Sequence, residues 1–135
     1  MTFLDSLRSR ESYLDRIPKD SVGSLAQEKA ALSNFDQFCE YKFKVSSDNM
    51  LRELRKINGT KQESVIFEML QNFANFMVEE QHMTISTAKH YVTKIKNHLN
   101  YMIEIKIHNE DLRQNVRWSK EEQRDDYPYR LKRQD

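Results

Sequence analysis

The sequence predicts an all-α domain of four main helices with an arm at each end. Apolar residues recur at three- and four-residue steps, which is the spacing of helices that bury one face. The chain has only two glycines and two prolines, too few for the many tight turns of a β-sandwich or barrel. Its 135 residues, 38% of them hydrophobic, suffice for one core. We expect a helical domain at 21–117, an N-terminal arm or short helix at 1–20, and a linker at 118–135.

The first long helix is predicted over about residues 24–42. Ser24 follows a Ser-Val-Gly break and is the predicted N-cap, with Gln27 at the third helical position as in a capping box. One turn of the apolar stripe is skipped at Glu28 and Lys29. The side chains expected to face inward are Leu25, Leu32, Phe35, Phe38 and Cys39.

Two further helices are predicted in the middle of the chain. A capping cluster at 46–48 precedes a short basic helix from Asn49 to Ile57, and Asn58-Gly59 ends it because these residues tolerate a left-handed turn. Thr60 or a neighbour then begins a helix that runs to about Glu80. This is the most hydrophobic element and is expected to be the central helix. Its apolar stripe comprises Val65, Ile66, Met69, Leu70, Phe73, Phe76 and Met77.

The fourth main helix is predicted over residues 84–102, with Thr84 as its cap. Its apolar side comprises Ala88, Tyr91, Val92, Ile95, Leu99 and Met102. A small final helix is expected to begin at Asn109, the predicted cap. In the N-terminal arm, which we expect to be loosely attached, the apolar residues are Leu4, Leu7, Leu14 and Ile17.

Motifs for catalysis and metal binding are missing from the sequence. No P-loop, GxGxxG, GxSxG or CxxC pattern occurs, and acidic neighbours such as Glu79 and Glu80 point apart on a helix. His90 and His98 stand eight residues apart, not at the i, i+4 spacing that holds a metal on one helix face. We therefore expect no metal, no cofactor and no enzymatic activity in this chain alone.

Cysteine usage and hydropathy bear on the compartment. Cys39 is the single cysteine, which excludes an internal disulfide and favours an intracellular, cytoplasmic protein. Charged residues interrupt the N-terminus, so no signal peptide is predicted. No apolar run approaches the roughly 20 residues that a membrane span requires, and we expect no membrane partner.

Charge is sorted by segment although the net charge is only +1. Residues 51–61 carry four cations against Glu53, and residues 62–81 carry four glutamates with no cation. Residues 82–118 carry six cations against three acidic residues. One face of the protein can therefore be basic even though the whole is nearly neutral.

The outward face of the 84–102 helix is the best candidate for a binding surface. It is expected to present His90, Thr93, Lys94 and Asn97, flanked by Lys89 and Lys96, with Ser86 and Thr87 in the first turn. Lysine neutralises phosphate, asparagine can pair with adenine, and threonine can contact a thymine methyl group. Free N–H groups at the helix start can bind a phosphate. This pattern favours duplex DNA as the partner, although an ordinary solvated helix face remains the alternative.

The order of elements resembles the N-terminal core-binding (SAM-like) domain of tyrosine recombinases, the phage-integrase and Xer type, and archaeal integrases share the pattern best. The family's first-helix motif falls on Ser21, Ser24, Glu28, Leu32, Phe35 and Phe38. Ser24 stands for a threonine, whereas Glu28 replaces a tyrosine and is a departure. The later helical hairpin falls on Met83, Thr84, Thr87, Tyr91, Val92, Ile95, Leu99 and Tyr101. The resemblance covers about residues 21–130 and ends at a linker-like Asp126-Tyr127-Pro128.

This resemblance implies an orthogonal four-helix bundle that forms one jaw of a clamp around DNA at a recombination crossover site. It implies as partners double-stranded DNA, the protein's own catalytic domain and other recombinase protomers. Ser24, Ser86 and Thr87 would contact phosphates, with Arg55 and Lys56 as peripheral cations. The catalytic Arg, Lys, His-x-x-Arg and nucleophilic Tyr belong to a second domain, and no His-x-x-Arg occurs here. The rival hypothesis is a helical protein-interaction or oligomerisation module, for which the apolar residues of the arm argue.

Overall fold

The computed structural model describes residues 8–18 and 22–118, which form six α-helices and contain no β-strand. The all-α prediction is therefore confirmed. A five-residue π-helical segment, Phe76–Glu80, continues the fourth helix. The helices are α1 (Arg10–Asp15), α2 (Val22–Phe43), α3 (Ser47–Arg55), α4 (Gly59–Asn75), α5 (Ile85–Ile103) and α6 (Asn109–Asn115).

Helix α5 is the element against which most others pack. It contacts α1, α2, α3, α4 and the π-helical segment, whereas α4, the predicted central helix, has fewer neighbours. The reason is the width of the buried surface of α5, which includes Val92, Ile95, His98 and Leu99 and so faces several partners at once. Around it, the rings of Phe35 and Phe38 in α2 lie 5.5 and 5.4 Å from that of Phe73 in α4.

The helix ends are stabilised by capping hydrogen bonds, and the observed ends differ from the predicted ones at Ser24, at Asn109 and at Gly59. Thr84 caps α5 as expected, since its hydroxyl accepts a hydrogen bond from the Thr87 amide at 3.2 Å. Ser24 is not a cap, because α2 already begins at Val22. The cap of α6 is His108 instead of Asn109, and the His108 amide donates to the Asp111 carboxylate at 2.8 Å.

Gly59 opens α4 and does not end α3. Helix α3 stops at Arg55, four residues earlier, and Gly59 takes a φ of +66° at the start of the next helix. The left-handed conformation predicted here is present, because glycine reaches it without the clash of a Cβ atom.

The described part of the N-terminal arm is firmly attached, so the expectation of a loose arm was wrong for it. The guanidinium of Arg10 in α1 donates twice to the Asp36 carboxylate of α2, at 2.8 and 2.7 Å. Ser47, the first residue of α3, also donates to Asp36, at 2.6 Å. Burial alone would raise the pKa of the Asp36 carboxyl, but these hydrogen bonds hold it below its usual value. Leu4, Leu7 and the linker residues 119–135 lie outside the described residues.

Two titratable groups are enclosed where α1 and α2 meet α5. His98 of α5 is 1% exposed, its Nδ1 has no hydrogen-bond partner, and its ring packs edge-on against Tyr13 of α1 at 4.8 Å. Burial, together with the nearby charge of Arg10, lowers the pKa of His98 to about 4. Burial likewise raises the pKa of the Cys39 thiol to about 12. Both groups are therefore neutral at physiological pH.

The stability of the fold should depend on pH through His98. Unfolding returns its pKa to about 6.5, so between about pH 6.5 and 4 the unfolded chain binds a proton that the folded chain excludes. We expect the free energy of unfolding to have its full value above this window and to fall by about 3 kcal/mol as the pH is lowered through it. Urea denaturation at a series of pH values measures this change.

Two matched substitutions isolate the histidine responsible. His98→Gln should flatten the pH dependence in that window, whatever it does to stability at neutral pH. His90→Gln, at an exposed position of the same helix, should leave the slope unchanged. An unchanged slope in His98→Gln would show that His98 is not the group that titrates.

Candidate nucleic-acid interface

The exposed face of α5 carries no acidic side chain, since none occurs anywhere in Ile85–Ile103. Five of the residues predicted to bind DNA are exposed on it and a sixth, Thr93, is half-buried. These residues follow the helical repeat along one side, as expected. The exposed five are Ser86, Thr87, Lys89, His90 and Asn97.

Lys94 does not belong to this exposed set, which corrects the prediction. Its side chain is only 16% exposed, and its Nζ lies 3.1 Å from Oε2 of Glu28, which is 7% exposed. The other carboxylate oxygen, Oε1, accepts a hydrogen bond from the hydroxyl of Tyr13 at 2.8 Å. Because Glu28 neutralises Lys94, the lysine contributes to the fold and adds little positive charge to the surface.

Lys96 is also misplaced in the prediction. It is 6% exposed. Burial lowers the pKa of its ammonium group, and the charge of Asp111 in α6 partly offsets this lowering. Helical periodicity alone placed Lys96 beside the outward face, but its side chain is buried within reach of the charge of Asp111. A lysine enclosed in this way cannot reach a DNA phosphate.

Arg55 and Lys56 lie at the opposite end of α5 from Ser86. The Arg55 guanidinium donates to the Met102 carbonyl at 3.0 Å, where it satisfies a group in the last turn of α5. Met102 is about 24 Å along the helix axis from Ser86. Lys56 is exposed and pairs with Glu53 at 3.2 Å. Both cations therefore lie far from Ser86, and Arg55 already has a structural partner.

Two of the predicted residues, Ser24 and Asn97, line one cleft of about 610 Å³ between α1, α2 and α5. Its wall includes Tyr101, whose ring lies 4.8 Å from the guanidinium carbons of both Arg8 and Arg16. The carboxylate of Glu28 also lines this cleft, and its charge is neutralised by Lys94.

A second cleft, of about 600 Å³, lies between α5, α6 and the segment that follows α6. We call it the α5–α6 cleft. It contains two predicted residues, Lys89 and Thr93, and three that the sequence interpretation did not assign to a site. Those three are Arg113, Arg117 and Trp118. Their signal was present in the sequence, because both arginines and the single tryptophan end the basic segment at 82–118.

Comparison with protein-family models, with curated proteins and with solved structures gave no match. Within the described residues, no helix is long and apolar enough to cross a membrane. In the same part of the chain, no three His, Cys, Asp or Glu side chains are arranged to hold a metal ion.

The Glu28–Lys94 pair should be a determinant of stability. Removing one partner leaves the other charge enclosed, so we expect Lys94→Met to lower the free energy of unfolding by about 3 kcal/mol. Glu28→Gln should cost a similar amount, about 2–3 kcal/mol, because its amide oxygen can still accept from Tyr13. The double variant should recover most of the loss, since no unpaired charge remains.

Chemical denaturation of the two single variants and the double variant measures this coupling. Lys61→Met, at an exposed position of α4, is the matched control and should change stability by less than about 0.5 kcal/mol. Equal stability of Lys94→Met and the original chain would contradict the pairing.

Proposed function

We propose that this chain is a DNA-binding domain that contacts duplex DNA through the exposed face of α5, chiefly its first half, and the neighbouring edge of α6. The observation that carries the proposal is a surface on which cations from two elements border a helix face without carboxylates. Lys89 comes from α5, and Arg113 and Arg117 come from α6 and the residues after it. Such a surface attracts the phosphate backbone.

The ion pair of Arg113 with Glu110 does not oppose this role. Both side chains are more than half exposed, at 68% and 60%. Exposed pairs of this kind contribute little free energy, so Arg113 can exchange the carboxylate for a phosphate at small cost. The arginine fork also matches phosphate geometry with two parallel hydrogen bonds.

The rest of the exposed α5 face supplies the remaining contacts. The hydroxyl groups of Ser86 and Thr87 can donate to phosphates, and Asn97 can pair with an adenine edge. The helix has 19 residues and is about 28 Å long, which exceeds the width of the major groove. Lys94 and Lys96 have no part in this proposal, because both are enclosed.

We further propose, from the resemblance, that the domain has the orthogonal SAM-like arrangement and positions a tyrosine recombinase on its crossover site inside the cell. Leu32, Phe35 and Phe38 of the resembling motif are buried in the core and Thr84 caps α5, which supports the proposal. Ser21 and the Asp126-Tyr127-Pro128 segment lie outside the described residues. In this proposal the chain itself is not an enzyme, and catalysis belongs to a separate domain.

Fluorescence anisotropy with a short labelled duplex tests the proposal. Three phosphate-binding cations should give a slope of log affinity against log salt of about −2.7, or about 40-fold weaker binding when salt rises from about 50 to 200 mM. Arg113→Ala should weaken binding to all sequences and reduce the slope by about 1.

Arg52→Ala is the matched control, because Arg52 is an exposed arginine on α3, away from this surface. It should leave the salt slope unchanged. Failure to bind any duplex at low salt would remove the proposed function.

A self-associating helical module is the second candidate, and one observation favours it. Tyr41 and Phe43, near the end of α2, are 54% and 39% exposed. One side of each ring packs on the core, against Phe76 and Phe38 respectively, and the remainder can pack against a second copy. By contrast, Leu14 of the arm packs against this chain's own core and so no longer argues for a partner.

If the chain self-associates through this patch, sedimentation should show a dimer that the double substitution Tyr41→Ser, Phe43→Ser converts to a monomer. A monomer at every concentration would exclude this candidate.

A further inference from the structure

We propose that Arg16, the residue that follows α1, binds a phosphate of the duplex that lies along α5, so that the N-terminal arm is part of the DNA interface. This contact rests on the duplex binding proposed above and adds a second element to it, at the other end of the exposed α5 face. Three features carry it: the side of α5 on which the arm packs, the state of the Arg16 guanidinium and the charges around it.

The cleft of about 610 Å³ between α1, α2 and α5, which we call the α1 cleft, lies on the same side of α5 as the residues proposed to bind DNA. Ser86 and Asn97 are eleven residues apart, about three full turns, so their side chains point in the same direction. Asn97 and Tyr101 are about one turn apart, and both line the α1 cleft. A duplex that contacts Ser86 and Asn97 therefore lies against this cleft.

The length of the exposed α5 face fits a helix that crosses the major groove. Thr87 and Asn97 are about 15 Å apart along the helix axis, and the groove is about 12 Å wide. Phosphates border the groove on both sides, so such a helix meets a backbone near each end. The two lysines nearest Asn97 cannot serve there, because Lys94 is paired with Glu28 and Lys96 is enclosed. A cation for that end has to come from another element.

Arg16 is in the position to be that cation. Its side chain is exposed and lines the α1 cleft, and its guanidinium carbon lies 4.8 Å from the centroid of the Tyr101 ring. Stacking uses the flat face of a guanidinium group, so the N–H donors in its plane stay available for a phosphate. Among the described residues, none forms a hydrogen bond or an ion pair with this guanidinium.

The ring beneath Arg16 is held in place by the arm itself. The Tyr101 hydroxyl lies 2.7 Å from the hydroxyl of Ser12 in α1, and the Tyr101 carbonyl accepts a hydrogen bond from Arg8 at 2.8 Å. Arg16 therefore stacks on a fixed support. Because stacking restricts its side chain before DNA arrives, less conformational freedom is lost when the phosphate binds.

The carboxylate that lines the α1 cleft does not cancel the charge of Arg16. Glu28 is only 7% exposed, and its Oε2 lies 3.1 Å from the ammonium group of Lys94. Its Oε1 accepts the hydroxyl of Tyr13 at 2.8 Å. Both oxygens are thus committed to partners within the fold, and Lys94 already balances their charge.

Arg8 and Ser24 can assist Arg16 at the same phosphate. Arg8 lies 3.6 Å from the carboxylate of Glu104, but the two side chains are 36% and 68% exposed, and a pair so open to water contributes little free energy. Two guanidinium groups therefore face this one exposed carboxylate, which leaves a net positive charge at the cleft. The exposed hydroxyl of Ser24 lines the same cleft and can donate to a phosphate oxygen.

The salt dependence of duplex binding, measured by anisotropy, tests the Arg16 contact. The three cations that line the α5–α6 cleft account for a slope of about −2.7, and a fourth phosphate contact steepens it to about −3.6. Affinity should then fall about 150-fold between about 50 and 200 mM salt. Arg16→Ala should return the slope to about −2.7, whereas the control Arg52→Ala should leave it at about −3.6.

Two further substitutions separate the charge of Arg16 from its geometry. Arg16→Lys keeps the charge and should keep the slope, but it should bind more weakly because an ammonium group lacks the two parallel donors. Tyr101 is a positioning residue, so Tyr101→Leu should weaken binding without changing the slope. Tyr101→Phe, which keeps the ring, should bind as the original chain does.

A set of duplexes, each with one phosphate replaced by a neutral methylphosphonate, locates the contact. At one position the replacement should weaken binding of the original chain and leave binding of Arg16→Ala unchanged. A slope of about −2.7 in the original chain, or equal losses in both proteins at every position, would overturn the Arg16 contact and leave duplex binding standing. If no duplex binds at low salt, the proposed function fails and this contact fails with it.

Discussion

The carboxylate of Glu28 is the group on which the arrangement of the N-terminal half depends. One of its oxygens accepts the hydroxyl of Tyr13 from α1, and the other pairs with Lys94 from α5. A carboxylate so deeply enclosed must have both partners, because its desolvation would otherwise be very costly. This requirement links α1, α2 and α5 at one point, so a segment that resembles a tail in sequence becomes part of the domain.

The same carboxylate decides where positive charge reaches the surface. Because Lys94 is neutralised and Lys96 is enclosed, the second half of α5 contributes few cations, and the basic surface moves toward Lys89. Arg113 and Arg117, about 25 residues further along the chain, line the same cleft as Lys89. The resulting surface is composite and smaller than the full helix face, which favours a partner that contacts α5 and α6 together.

The sequence was sufficient to predict where the helices lie, but not which helices pack against one another. Periodicity located α2, α4 and α5 to within a few residues, and Thr84 was recognised as a cap because capping depends on residues three apart. Periodicity does not say which flank of a helix another helix covers, so Lys94 and Lys96 were wrongly taken as exposed. Glu28 and Lys94 are 66 residues apart, and no local pattern joins them. The one available signal was an acidic residue in the apolar stripe of α2, which requires a cation nearby.

The reactivity of the Cys39 thiol reports on whether the core is folded. The thiol lies fully buried on the inner face of α2 and its raised pKa keeps it protonated, so an alkylating reagent can reach a reactive thiolate only when the core opens. The rate of alkylation therefore measures how often the core opens. A surface substitution that leaves this rate unchanged has not destabilised the core. A loss of binding in such a variant can therefore be assigned to the substituted side chain itself.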